Sequence, residues 1–137
     1  MVRRGVTRVF LRSLLVLAGC AACSDTLDFG TNFPAVALNP GQFGFAITAS
    51  DWTFDQSYPP AIATGSVQVG MGIVYSDGTG SVTITDGDNV VIFNQTLATN
   101  VASGTNVTVS GKAPFTVHIA ASRYTGVVSL AVNGTPP

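Results

Sequence analysis

The sequence predicts an all-β domain, an antiparallel β-sandwich of about seven or eight strands. Three observations carry that reading. Val and Thr supply 34 of the 137 residues, whereas Glu is absent and Lys occurs once, so strong helix formers are scarce. Apolar and polar residues alternate with period two in at least six segments. Turn-forming clusters separate those segments at short intervals. A chain of this length makes one domain with a modest core.

The segments follow in order. Phe43, Phe45, Ile47 and Ala49 share one face of a strand. Val67, Val69, Met71 and Ile73 share another, with Gln68, Gly70 and Gly72 opposite. Val82 and Ile84 precede Asp86-Gly87-Asp88-Asn89, and Val90 to Phe93 follow, which is hairpin chemistry. Val107 and Val109, then Phe115, Val117, Ile119 and Ala121, then Val128, Leu130 and Val132 complete the alternation. The turn signals are Asn39-Pro40-Gly41, Tyr58-Pro59-Pro60, Asp77-Gly78-Thr79-Gly80, Ser103-Gly104, Gly111 to Pro114 and Thr125-Gly126. Many short strands so punctuated fit a sandwich, with a closed barrel as the alternative. Outward positions carry Thr, Ser and Asn, so edge strands lack the Lys residues that deter unwanted pairing.

Charge divides the chain. Arg3, Arg4, Arg8 and Arg12 lie at the start, and all seven carboxylates follow Ser24. Downstream of Gly19, Lys112 and Arg123 face those seven acids, a balance of −5. Such a surface does not neutralise a phosphate backbone, so nucleic acid is not an expected partner. The basic head is followed by the short apolar run Ser13 to Ala18 and the small residues Gly19 to Cys23, the order of a secretory signal. The 11 uncharged residues from Ser13 to Cys23 fall short of a membrane span.

Leu17-Ala18-Gly19-Cys20 resembles the lipobox of bacterial lipoproteins. The resemblance implies cleavage before Cys20, a diacylglyceryl group on its thiol and anchoring to a membrane, because acyl chains bring about 0.8 kcal/mol per buried CH₂. It implies an extracytoplasmic location, on the outer membrane where the organism has one, since Ala21 rather than Asp follows the Cys. Cleavage after Ala21 or Ala22 by the ordinary signal route is the alternative. Residues 1–19 are then the signal, 20–32 the lipidated Cys and tether, and 33–134 the sandwich. Cys23 is left without a partner in the mature chain. The stretch from Gly80 to Asn133, with Gly111-Lys112-Ala113-Pro114-Phe115 and Tyr124-Thr125-Gly126-Val127, resembles small secreted β-sandwich modules of the pre-peptidase jelly-roll type.

Catalytic groups are few. His118 is the single His and sits opposite Phe115, Val117 and Ile119, so it points outward as a surface residue. No catalytic residue, cofactor or structural metal is expected. Asp77, Asp86 and Asp88 are the best cation candidates, since Asp86-Gly87-Asp88-Asn89 places hard oxygens in one loop, as Ca²⁺ prefers. No Glu is present to bind bidentately, and Asp-Gly is also ordinary tight-turn chemistry. The plain turn is the preferred reading.

The richest stretch is Asp51-Trp52-Thr53-Phe54-Asp55 with Tyr58-Pro59-Pro60. It gathers the only Trp and two carboxylates, a set that can stack on sugar rings and bond to their hydroxyls. Trp52, Tyr58, Asp51 and Asp55 are therefore the candidate ligand-binding residues. Against this, Trp52 and Phe54 stand two apart, as one strand's core residues do, and the core reading is preferred for Trp52. The function expected is a noncatalytic envelope lipoprotein, a binding or structural module whose partner is a glycan or another envelope protein. The alternative is a carbohydrate-binding module using Trp52 and Tyr58.

Overall fold

The computed structural model describes residues 30–137. The signal, Cys20, Cys23 and most of the tether lie outside the described residues. Six strands follow one another: β1 (Ala35–Asn39), β2 (Gln42–Tyr58), β3 (Gly65–Thr85), β4 (Val91–Thr96), β5 (Val101–Gly111) and β6 (Thr116–Asn133). Every pairing is antiparallel.

Three of these strands are too long for a flat sheet in so small a domain. At about 3.3 Å per residue the 21 residues of β3 would reach roughly 70 Å. A domain of about 100 residues has a radius of gyration near 13 Å. The conflict is resolved by bending. Phe43 and Tyr58 lie 15 residues apart on β2, a distance of about 50 Å if straight, yet their ring centroids are 5.3 Å apart. β2 therefore folds back across the core, and β3 and β6 fold with it.

One continuous sheet thus makes both layers of a β-sandwich. The first halves of β2 and β3 and the second half of β6 form layer one, in the order β1-β2-β6-β3-β5. The remaining halves form layer two, in the order β2-β6-β3-β4. The seven or eight short strands read from the sequence are six, of which three serve in both layers.

Bulges make the corner. The β2–β6 register shifts between Ala49 and Trp52 and shifts again between Trp52 and Phe54, so each strand inserts one residue and the pairing is restored. β3 and β6 do the same on either side of Asp77. Gly78 sits in this corner at φ 89°, and an added Cβ would collide with the Arg123 carbonyl. The clusters Asp77 to Gly80 and Thr125-Gly126, expected as turns, are therefore bulged corner segments inside β3 and β6. Asp86 to Asn89 is a true hairpin turn, with Asn89 at φ 60°.

The inward sets are those the alternation marks. Phe43, Phe45 and Ile47 of β2 and Val67, Val69 and Ile73 of β3 line the inner side of layer one on either side of β6, and Val82, Ile84, Val117 and Ile119 close the core from layer two. Tyr124 is fully buried at the corner, where its hydroxyl donates to the Leu97 carbonyl at 2.8 Å.

Candidate functional site

The stretch from Asp51 to Tyr58 divides between the two faces of β2. Trp52 is 8% exposed and stacks on Phe54, with centroids 4.4 Å apart and planes 20° apart. Phe54 continues to Phe45 at 6.2 Å, and the half-buried Tyr58 packs against Phe43 and Phe45. Burial raises the Tyr58 hydroxyl above its ordinary pKa. The aromatic row fills the seam between layers and presents no Trp52 platform to a ligand.

The two carboxylates point outward. Asp51 accepts from Arg123 Nε at 3.1 Å, and its own N–H donates to Thr125 Oγ1 at 3.0 Å. Asp55 Oδ1 lies 2.7 Å from His118 Nε2. The four candidate residues are therefore not one site.

The Asp55–His118 pair escapes sequence reasoning because 63 residues separate its members. Ser57 is the cross-strand neighbour of His118 and shares the open outer face of layer two. Among the described residues, the ring bonds only Asp55. With side-chain exposures of 40% for His118 and 78% for Asp55, the pair stands on a flat surface rather than in a cleft.

The hairpin carboxylates serve the backbone. Asp86 Oδ1 accepts from the N–H groups of Asp88 and Val90 at 3.0 Å, and Oδ2 from that of Lys112 at 3.3 Å. These donors, Val90 first, hold the Asp86 carboxyl below the usual carboxylate range. Asp88 faces Lys112 Nζ at 3.6 Å, and Asp77 Oδ1 accepts from the Gly78 N–H. Among the described residues, no three His, Cys, Asp or Glu side chains gather into a ligand set.

A groove of about 470 Å³ lies elsewhere, on the outer face of layer one. Its floor is three rungs of the β3–β6 ladder: Gly70 beside Ala131, Gly72 beside Ser129, and Val74 beside Val127. Its wall is an arch in β5. Between Met71 and Ile73 of β3, β5 runs four residues from Thr105 back to Val101, and the surplus bows outward. The Thr105 hydroxyl donates to the Ala102 carbonyl at 2.7 Å, Asn106 Nδ2 donates to the Gly104 carbonyl at 2.9 Å, and Gly104 turns at φ 86°. The glycines let the arch approach. A Cβ on Gly70 would meet Asn106 Oδ1 at 2.8 Å, and one on Gly72 would meet Ser103 Cα at 3.2 Å. Among the described residues, no charged side chain lines the groove. Gly70 and Gly72 inside a strand were its only sequence signal, since such glycines mark a close approach of backbone or ligand. Ser103-Gly104, expected as a turn between strands, is the arch within β5.

No family model matches the chain, and no curated protein sequence matches it. Among solved structures, it is similar to the carbohydrate binding module CBM6cm-2 from Cellvibrio mixtus lichenase 5A, solved with cellotriose. That match has 18% identity and a TM-score of 0.40, and covers 75% of this chain and 86% of that one. A CBM4 structure matches at 14% identity and a TM-score of 0.35, covering 80% and 82%. The Gap123 complex from Streptococcus agalactiae matches at 9% identity and a TM-score of 0.34, covering 77% and 41%.

Proposed function

We propose that this chain is a noncatalytic binding module, exported, anchored through lipid on Cys20, and built to hold an uncharged ligand on layer one. The groove carries the reading. Its volume falls within the usual range for small-ligand sites. Its neutral lining offers Ser103, Ser129 and Asn106 as hydrogen-bonding groups beside the exposed Val74 and Val127. Hydroxyls beside apolar C–H faces are the chemistry of a neutral glycan, so an uncharged oligosaccharide is the ligand class that suits it best. Trp52 and Tyr58 do not carry this carbohydrate reading, because one ring is buried and the other half-buried. One His and no Glu leave little for acid–base catalysis, which supports a module that binds without reacting.

The test uses the full chain solubilised from membranes, screened against neutral oligosaccharides by calorimetry. Ala131→Phe should fill the groove and weaken binding at least tenfold while the melting temperature stays close to that of the parent. Undiminished binding in that variant removes the groove from the reading. Separately, Cys20→Ala should abolish palmitate incorporation; normal labelling would refute the lipidation site.

A further inference from the structure

Each layer of the sandwich ends in exposed strand edges, and three of the four are guarded. β1 and β4 are short, with 5 and 6 residues. The layer-two portion of β2 begins at a bulge and carries Asp55. Short length, bulges and charge are the usual deterrents to edge pairing. β5, with 11 residues, is longer than β1 and β4, and past the arch that ends at Thr105 its run to Gly111 carries neither a register shift nor a charge. Among the described residues its ladder partner over this run is β3 alone, so alternate N–H and C=O groups along the far side have no strand to bond there. The run lies within 23 consecutive residues, Asn89 to Gly111, that contain no charge and no Pro.

We propose that two copies of this chain join edge to edge along β5, antiparallel, about a twofold axis at Thr108. The composition of the edge selects a second copy as the occupant. Thr108 is the midpoint of the run from Thr105 to Gly111, so pairing about it uses every residue. It sets Val107 against Val109 of the partner subunit, Asn106 against Ser110 of the partner subunit, and Thr108 against Thr108 of the partner subunit. Apolar–apolar and Thr–Thr pairs are favourable across antiparallel strands, and no like charges are opposed. Val107 shares the inward face of layer one with Val69, yet it is 45% exposed because none of the described residues covers it there. The pairing covers it. A twofold axis at right angles to the sheet makes the contact self-complementary and closed. It also keeps both outer faces on the same side, so the two grooves lie side by side with an Asn106 at the inner wall of each.

The experiment uses the full chain in native membranes, in a Cys23→Ser background. Thr108→Cys should form a disulfide-linked species of twice the monomer mass, at least tenfold more abundant than with Ser57→Cys on the guarded β2 edge. In detergent, the parent should sediment as two copies and Thr108→Lys as one, with β-type far-ultraviolet spectra for both. Three results would overturn the proposal: equal cross-linking at Ser57 and Thr108, a cross-linked mass other than two copies, or an unchanged sedimenting mass for Thr108→Lys.

Discussion

Asp51 and Arg123 face each other across β2 and β6, each with a left-handed backbone, φ 48° and 49°, and each the surplus residue of its strand's bulge. Their side chains meet at 3.1 Å, and Thr125 and Thr53 take up the two bulge N–H groups. The pair marks where one layer turns into the other. Arg123 is correspondingly harder to deprotonate than an ordinary guanidinium, chiefly through its bond to Asp51.

At Asp51 the backbone requirement outweighs the ion pair, which is largely exposed and screened by solvent. Asp51→Gly should leave the thermal midpoint almost unchanged. Asp51→Val, which forces a β-branched residue into the left-handed region, should cost about 1–2 kcal/mol. Urea unfolding of the two variants side by side checks the order; a Val variant as stable as the Gly variant would contradict the role given to the bulge.

Trp52 fills the seam between layers, so Trp52→Ala should destabilise the domain by about 3–5 kcal/mol. In a domain whose total stability is about 5–15 kcal/mol, that loss is plain in a melting curve. Oligosaccharide binding at the proposed groove by the fraction still folded should survive, because the groove is on the other layer's outer face. A normal melt with lost binding would return the ring to a ligand-binding role.

Tyr124 gives the domain an alkaline limit. Burial, aided by nearby Tyr75, pushes its hydroxyl up to about 12 from an ordinary 10.0. The folded state therefore keeps a proton that the unfolded chain gives up. Its contribution is complete below pH 10 and is lost as pH rises toward 12. Tyr58, shifted the same way by burial, adds to the trend. Tyr124→Phe should flatten the fall in stability over this window. It should also cost about 1–3 kcal/mol at neutral pH, because the Leu97 carbonyl loses its donor. Melting temperatures at pH 8, 10 and 12 decide both points.

What could be read from the sequence was what single strands carry. Alternation at Phe43 to Ile47, Val67 to Ile73 and Phe115 to Ile119 marked the core, because the side-chain period belongs to one strand. The hairpin at Asp86 was equally local, since its carboxylate binds N–H groups two and four residues on. The bulges at Gly78, Gly104 and Arg123 were not local. Whether Gly78 ends a strand or bends it depends on which carbonyl lies against it, and that carbonyl belongs to Arg123. The same holds for Asp55 and His118, and for a groove assembled from β3, β5 and β6.

Because β2, β3 and β6 each run through both layers, neither layer possesses a full set of strands of its own. Opening one face of the molecule must tug covalently on the other, so amide exchange in the two layers should share a single protection level, as in one cooperative unit. The same sharing restricts how the chain can vary over time. A residue gained or lost in any of the three bent strands slips the pairing by one for everything beyond it. Only a matching change in the neighbouring strand restores the pairing register, as the paired bulges of Asp51 and Arg123 do. The corner is therefore inherited whole.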